Sequence, residues 1–312
     1  MKLGLCCLYK TPLTPLGEKR RFSILRHSPL VGLPLRDALP LAGEVIIHNL
    51  KTTIHFLVRS IHDKFDGYRM SSSIIAPLTM SCFKEVSFKD LPQFDTIVGL
   101  CQEIKTLSSL IRITTHPGPY VHLFSDNTQV SEASFKEIEL HAELFDLCGL
   151  KRSHWNPINI HLSNGWNEVM SNLKAFDKMS EGLRKRLVLE NNDSGDVWSV
   201  ARLASVSRYT GIPITFDNLH HKVMSDALSE KEAFYTAYDS WAGIEPVFHY
   251  SECVVDETRK KMVGRSHADM PTELPPVYDG LPVLWEVELK YKEFAIAKLR
   301  KMAALRSAGV NW

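Results

Sequence analysis

Eight side chains able to hold a divalent cation stand where short apolar runs of this 312-residue chain stop. They are His116 after Ile111-Arg-Ile-Thr-Thr, His161 after Ile158-Asn-Ile, Glu190 after Leu187-Val-Leu, Asp217 after Ile214-Thr-Phe with His220 following Leu219, His249 after Val247-Phe, His267 after Arg265-Ser, and Glu288 ending Val283-Leu-Trp-Glu-Val. Five imidazoles and three carboxylates with no thiolate among them suit Mn²⁺ or Zn²⁺, with Mg²⁺ a further candidate, rather than a soft metal or a cluster. Eight ligands are too many for one ion. A carboxylate can place one oxygen on each of two ions, and Glu190 and Asp217, with histidines on either side in sequence, are the natural bridging residues of a site for two or three divalent metal ions. Such a site serves in-line displacement at phosphorus: one ion lowers the pKa of a bound water and another neutralises charge on the leaving oxygen. A single histidine at a strand end is usually structural, so the inference rests on recurrence. An Asx turn would explain Asp217 alone but not the His220-His221 pair behind it, of which one is expected to ligate. His48, His55, His62, His141 and His154 lack the pattern and read as structural or exposed.

The elements that must position these residues follow from the same runs. Short segments rich in Ile, Val, Thr and Phe between turn residues fit buried parallel strands. Their recurrence at roughly 30-residue spacing, the length of a βα unit, brings their ends to one rim. The predicted strands are 2–7, 68–70, 111–115, 159–162, 187–189, 214–216, 247–250 and 283–287. Between them lie predicted helices over 42–64, 94–109, 132–147, 166–179 and 197–209, the last opened by Asp196 and ended by Gly211 and Pro213. A further helix is opened by Ser229 with Glu232 as a capping box, and a charged helix runs from 292 to the end. Eight strands alternating with helices predict a single (β/α)₈ barrel over 1–312. Its long irregular loop, 9–41, carries prolines at 12, 15, 29, 34 and 40.

Composition narrows the partners. With 37 Lys and Arg against 36 Asp and Glu, a nucleic acid must be held by a local basic patch rather than by global charge; Lys19-Arg-Arg21, Arg184-Lys-Arg186 and Arg259-Lys-Lys261 are candidates, though each singly reads equally well as solvated loop charge. Six cysteines without a Cys-x-x-Cys spacing read as buried thiols of a reducing compartment. Lys10 ends the apolar Leu3–Leu8 run too early for a secretory or membrane segment. The expectation is a cytoplasmic monomer without an organic cofactor or a membrane contact.

Five blocks in order, Thr115-His-Pro-Gly-Pro-Tyr120, Leu187-Val-Leu-Glu-Asn-Asn192, Phe216-Asp-Asn-Leu-His-His221, His249-Tyr-Ser251 with Ser266-His-Ala-Asp269, and Val287-Glu-Leu-Lys-Tyr-Lys-Glu293, resemble the UV damage endonuclease (UvdE) family. That family is similar to the endonuclease IV branch of the xylose isomerase-like barrels. The resemblance runs from Lys2 to about Lys298 and is specific from His116 onward. It implies a metal-dependent nuclease that cuts damaged double-stranded DNA on the 5′ side of the damaged nucleotide and leaves a 3′-hydroxyl.

By position, the resemblance implies that His116, His161 and Glu190 hold one ion, that Glu190, Asp217, His249 and Glu288 hold a second, and that His220 and His267 hold a third. It implies a catalytic part for Glu190, and for Lys290 and Lys292 as phosphate contacts. Tyr120, beside Pro119, is implied as a lesion-probing aromatic and Asn191 as a phosphate contact or a support of the ligands. The chain departs from the family pattern at Pro119, where glutamine is usual, near Leu5, where a tyrosine is sometimes found, and at Val247, in place of a lysine. Alternatives on the same barrel are a sugar isomerase or epimerase, against which the extra His220 and His267 argue, and a non-catalytic binder of damaged DNA.

Overall fold

The computed structural model describes residues 1–11, 20–118, 120–163, 165–193, 198–224, 227–256 and 261–309. The strands among them are β1 (Lys2–Cys6), β2 (Gly67–Met70), β3 (Arg112–Thr115), β4 (Ile158–His161), β5 (Leu187–Glu190), β6 (Ile214–Thr215), β7 (Val247–Tyr250), β8 (Cys253–Asp256), β9 (Lys261–His267) and β10 (Leu284–Val287). All but β8 and β9 pair in parallel in the order β6-β5-β4-β3-β2-β1-β10-β7. One parallel bridge, Asp217 to His249, joins the two ends of that row, with His249 N donating to Phe216 O at 3.0 Å. The result is a nearly closed α/β barrel, as the strand pattern predicts, with the carboxyl ends of all eight strands on one rim.

The helices on the outside are α1 (Leu35–His62), α2 (Phe94–Leu107), α3 (Thr128–Leu147), α4 (Trp166–Ser171), α5 (Glu181–Arg184), α6 (Val200–Thr210), α7 (Asn218–Val223), α8 (Glu230–Asp239) and α9 (Glu293–Ser307). Each buries one stripe against the sheet; in α1 that stripe carries Ala42, Ile46, Leu50 and Leu57. Local chemistry sets the ends. Ser229 and Glu232 form the expected capping box of α8, a device whose loss costs about 1 kcal/mol. Gly211, at φ 72°, ends α6 in the left-handed region, which a side chain would strain.

Several features differ from the sequence reading. The helix expected over 166–179 is α-helical only over Trp166–Ser171, with a 3₁₀ segment Leu173–Lys178 after it, and α3 starts at Thr128 rather than 132. The helix expected at 42–64 begins at Leu35: Pro34 is its N-cap and Pro40 lies inside it. A proline in the second turn forfeits one hydrogen bond near an end where donors are unpaired anyway, so it does not stop the helix. The irregular segment is therefore shorter than 9–41. Ser199, accepting from Arg202 N, caps α6, while Asp196 and Val197 lie outside the described residues. The closing helix starts at Glu293 after Lys292, which sits at φ 47°, and ends at Ser307. Arg265-Ser-His267 ends no barrel strand but belongs to β9, which pairs antiparallel with β8. Among the described residues no helix is long and apolar enough to cross a membrane.

Candidate metal centre

The parallel register brings the ligands to one level. His161 ends β4 beside Glu190 at the end of β5, and His249 in β7 lies beside Glu286 in β10. His116 follows β3 directly; its Nδ1 faces Pro117 O at 2.8 Å and its Nε2 lies 3.1 Å from Glu190 Oε2. Glu190, 1% exposed, is the hub. Its Oε2 also lies 3.6 Å from His161 Nε2 and accepts from Asn159 Nδ2. Its Oε1 lies 3.3 Å from His220 Nδ1 and 2.9 Å from His249 Nδ1.

Asp217 N-caps α7: Oδ1 accepts from His220 N at 2.7 Å. The bond reaches three residues on, a helix cap rather than the Asx turn considered from the sequence, and it sets His220 in the first turn of α7 beside the cluster. Asn191 fixes Asp217 from behind, with Oδ1 accepting from Asp217 N at 2.8 Å and Nδ2 donating to Asp217 O at 3.0 Å. At 1% exposure with both amide atoms bonded to the Asp217 backbone, Asn191 is placed for the ligand support rather than the phosphate contact among its two expected roles. His221 is buried against Phe216, with ring centroids 5.7 Å apart, so His220 is the member of the pair that faces the cluster.

Three overlapping trios have ligand atoms within 4.8 Å of one another: His116, His161 and Glu190; Glu190, Asp217 and His220; and Asp217, His249 and Glu288. Glu190 is common to the first two and Asp217 to the last two. His220 falls with Glu190 and Asp217 rather than with His267. His267 stands at the edge, with Nε2 3.9 Å from Glu288 Oε2 and Nδ1 against Glu288 O at 2.9 Å.

The donor set fits divalent cations by an independent sign: Asp217 Oδ2, His161 Nδ1 and His249 Nδ1 are buried without a hydrogen-bond partner. Such atoms cost free energy unless something is bound to them. His249 Nδ1 is close to Glu190 Oε1 but out of hydrogen-bond alignment. Electrostatics agree. Burial raises the Asp217 carboxyl, and nearby Glu190 and Glu288 add to the rise. Burial also holds His161 down to about 4, leaving its lone pair free at neutral pH. Burial would likewise lift Glu190, but His161, His249 and bonds from His116 and His220 outweigh it and keep the carboxyl well below its usual range.

A layer beneath the ligands escaped the sequence reading. Arg69, in β2, donates from Nε to Glu286 Oε2 at 2.5 Å and from Nη1 to Glu288 Oε1, while Nη2 lies 2.6 Å from His249 Nε2. Thr114 Oγ1 donates to Glu286 Oε1. Although burial pushes Glu286 up, Arg69 outweighs it and brings the carboxyl down to about 2. The signals were an arginine inside the strand Tyr68-Arg-Met70, and Glu286 two residues before Glu288, hence on the same face of the strand.

Of the remaining predicted residues, the described ones, Tyr120, Lys290 and Lys292, follow the carboxyl ends of β3 and β10. Tyr120 is 80% exposed, and Pro119 lies outside the described residues. Lys290 is exposed and Lys292 half-buried at the start of α9. A cavity of about 630 Å³ opens at the opposite end of the barrel, among Lys2, Arg112, Trp155 and Glu245, and shares no residue with this cluster.

Known proteins fall into line with the geometry. A "UV DNA damage endonuclease" of Nostoc sp. is 29% identical over 306 residues, covering 96% of this chain and 89% of that one. The crystal structure of SacUVDE superposes with a TM-score of 0.76 at 25% identity over the full length of both chains. Endonuclease IV from Thermus thermophilus shares the fold, with a TM-score of 0.54 at 14% identity over 80% of this chain and 94% of that one. With the family described as UV-endonuclease UvdE matching residues 1–311, the chain belongs to the UvdE family.

Proposed function

We propose that this protein is a metal-dependent DNA repair endonuclease that hydrolyses the phosphodiester 5′ to a UV-damaged nucleotide in double-stranded DNA and leaves a 3′-hydroxyl. Membership of the UvdE family supports the substrate class. The single observation that carries the chemistry is the set of three ligand trios that share Glu190 and Asp217. His116 and His161 would hold one ion with Glu190, Asp217 and His220 would join Glu190 around a second, and His249 and Glu288 would complete the set with Asp217. Mn²⁺ suits this oxygen and nitrogen set best, with Zn²⁺ or Mg²⁺ as substitutes. Bound there, divalent ions supply an activated water and neutralise charge on the leaving oxygen.

The chain's own residues do the positioning. Asn159 and the imidazoles around Glu190 fix both its oxygens. Asn191 locks the Asp217 backbone, and Arg69 holds the Glu288 carboxylate. Lys290 and Lys292, just past Glu288, would meet the phosphate flanking the cut. Tyr120 is exposed enough to stack in the space of an extruded base.

The test is nicking of UV-irradiated against undamaged duplex in Mn²⁺, with EDTA and Glu190→Gln as controls. Strong preference for irradiated duplex, loss in EDTA and a fall of at least about 1,000-fold in Glu190→Gln are expected, since ions worth several kcal/mol to the transition state lose their shared ligand. Equal cutting of both duplexes would defeat damage specificity. Full activity of Glu190→Gln would defeat the bridge, and tight lesion binding without cutting would make the protein a binder.

A further inference from the structure

The near-neutral chain concentrates positive charge in one segment of its rim. Residues 20–36 hold Arg20, Arg21, Arg26 and Arg36 and no Asp or Glu, the next residue being Asp37, whose Oδ1 lies 3.7 Å from Arg36 Nε in an exposed pair. Arg21, Arg26 and Arg36 are exposed, as are Ile24 (82%) and Val31 (67%). The segment is nevertheless firmly seated. Phe22 and Leu25 pack against the core, Phe22 meets Phe56 edge-on at 6.0 Å, and Leu30 is buried. Asn49 takes Ser23 N at 2.7 Å and donates to both Ser23 O at 3.1 Å and Ser73 O at 2.8 Å. His48 Nε2 bonds Arg21 O at 2.8 Å.

Those anchors fix where the segment lies. Ser73 follows the carboxyl end of β2 by three residues, so the Asn49 link ties the segment to the rim that carries the ligands. The chain leaving β1 is tied to the same rim by Lys10 N and Thr11 N, which donate to Glu293 at 2.7 and 2.9 Å, next to Lys292. An ordered backbone with inward-facing apolar side chains thus holds a row of guanidinium groups outward beside the metal centre. Guanidinium forks match phosphate oxygens, and fixing them in advance lowers the entropy lost on binding.

We infer that residues 20–36 form a docking lip for the duplex arm flanking the cut, with Arg21, Arg26 and Arg36 on backbone phosphates. The inference rests on the endonuclease reading above and adds a surface that grips DNA without regard to sequence or damage. Ile24 and Val31 lie between the cations, where sugar edges of the duplex would cover them.

Counterion release sets the size of the effect: each phosphate contact contributes about 0.9 to the slope of log affinity against log salt, so three contribute about 2.7. The experiment compares the full-length wild type, Arg21→Ala/Arg26→Ala/Arg36→Ala and the matching triple lysine variant by fluorescence anisotropy in EDTA, on undamaged and UV-irradiated duplex from about 50 to 200 mM salt. The alanine variant should lose about 2.7 from the slope on both duplexes, removing a roughly 40-fold share of the wild type's salt-dependent loss. It should keep its Mn²⁺ content and its nicking rate at saturating DNA, while the lysine variant retains most of the slope. A wild type that binds duplex with a slope the alanine variant shares would overturn the lip and leave the endonuclease reading standing. A wild type that binds no duplex overturns both. A concentration-dependent dimer that the alanine variant loses would assign the surface to a second copy of the chain and overturn the lip.

Discussion

Replacing Arg69 by methionine should unfold the metal-free protein several degrees earlier. The guanidinium is the shared partner of Glu286, Glu288 and His249, and its side chain is 8% exposed against 1% for Glu286 and 15% for Glu288. Methionine keeps much of the stem's volume and removes the charge, leaving two carboxylates on one strand face with only the His249 imidazole, 3.4 and 3.6 Å from them, to offset their charge. Breaking a buried ion pair by removing one partner costs about 3–5 kcal/mol. At about 2 °C per kcal/mol for a domain of this size, that is a fall of about 6–10 °C in Tm. Circular dichroism in EDTA at pH 7.5 measures it.

Two further arms isolate the cause. Adding Glu286→Gln to Arg69→Met removes one of the stranded charges and should recover up to about 3 kcal/mol, a coupling of the size that contacting residues show. Saturating Mn²⁺ should narrow the gap between wild type and Arg69→Met, because a cation bound at Glu288 replaces the one lost. A Tm change below about 2 °C for Arg69→Met, or strict additivity in the double variant, would refute the idea that this pair holds the floor of the site.

Two other predictions rest on the same geometry. Asn191→Ala removes both bonds that fix Asp217, so Mn²⁺ affinity measured by titration calorimetry should fall about 10–100-fold, while duplex affinity in EDTA stays unchanged; a selective loss of DNA binding would restore the phosphate contact. Burial holds His154 at about 4 and His141 at about 3, both below the unfolded value of about 6.5. The unfolded chain therefore binds more protons in this window, and the stability these residues contribute is complete above pH 6.5 and falls as the pH drops towards 4. Urea unfolding of His154→Phe at pH 7 and pH 5 should show a flatter dependence than the wild type, and an equal slope would exclude His154 as a source.

The ligands were legible because a parallel strand announces its end: the apolar run stops, and the next side chain faces the rim. His116, His161, Glu190, Asp217, His249 and Glu288 all obey that rule. His267 does not, since it ends β9, which pairs antiparallel with β8 and is no strand of the barrel. Arg69 and Glu286 were hidden for another reason. Each lies inside a strand, where a charge has meaning only through a partner brought in from across the barrel; the two-residue spacing of Glu286 and Glu288 marks a shared face but not that partner. The start of α1 was missed because a proline was weighed as a breaker without regard to how near it stands to the helix end.

The lone bridge between Asp217 and His249 has a consequence for motion. The gap between β6 and β7 is laced at one point, as is β3–β4 at Thr115 and Ile158, but at the β6–β7 gap the two joined residues, Asp217 and His249, both belong to the proposed ligand set. Under the proposed function, shutting the ring and assembling the site would be a single equilibrium, and a cation seated between them would act as a clasp. Chelation should loosen this seam, so that amide exchange at His249 quickens while the β1–β2 pairing stays protected. By the same linkage, a substitution that stiffens the seam would tighten ion binding without touching a ligand.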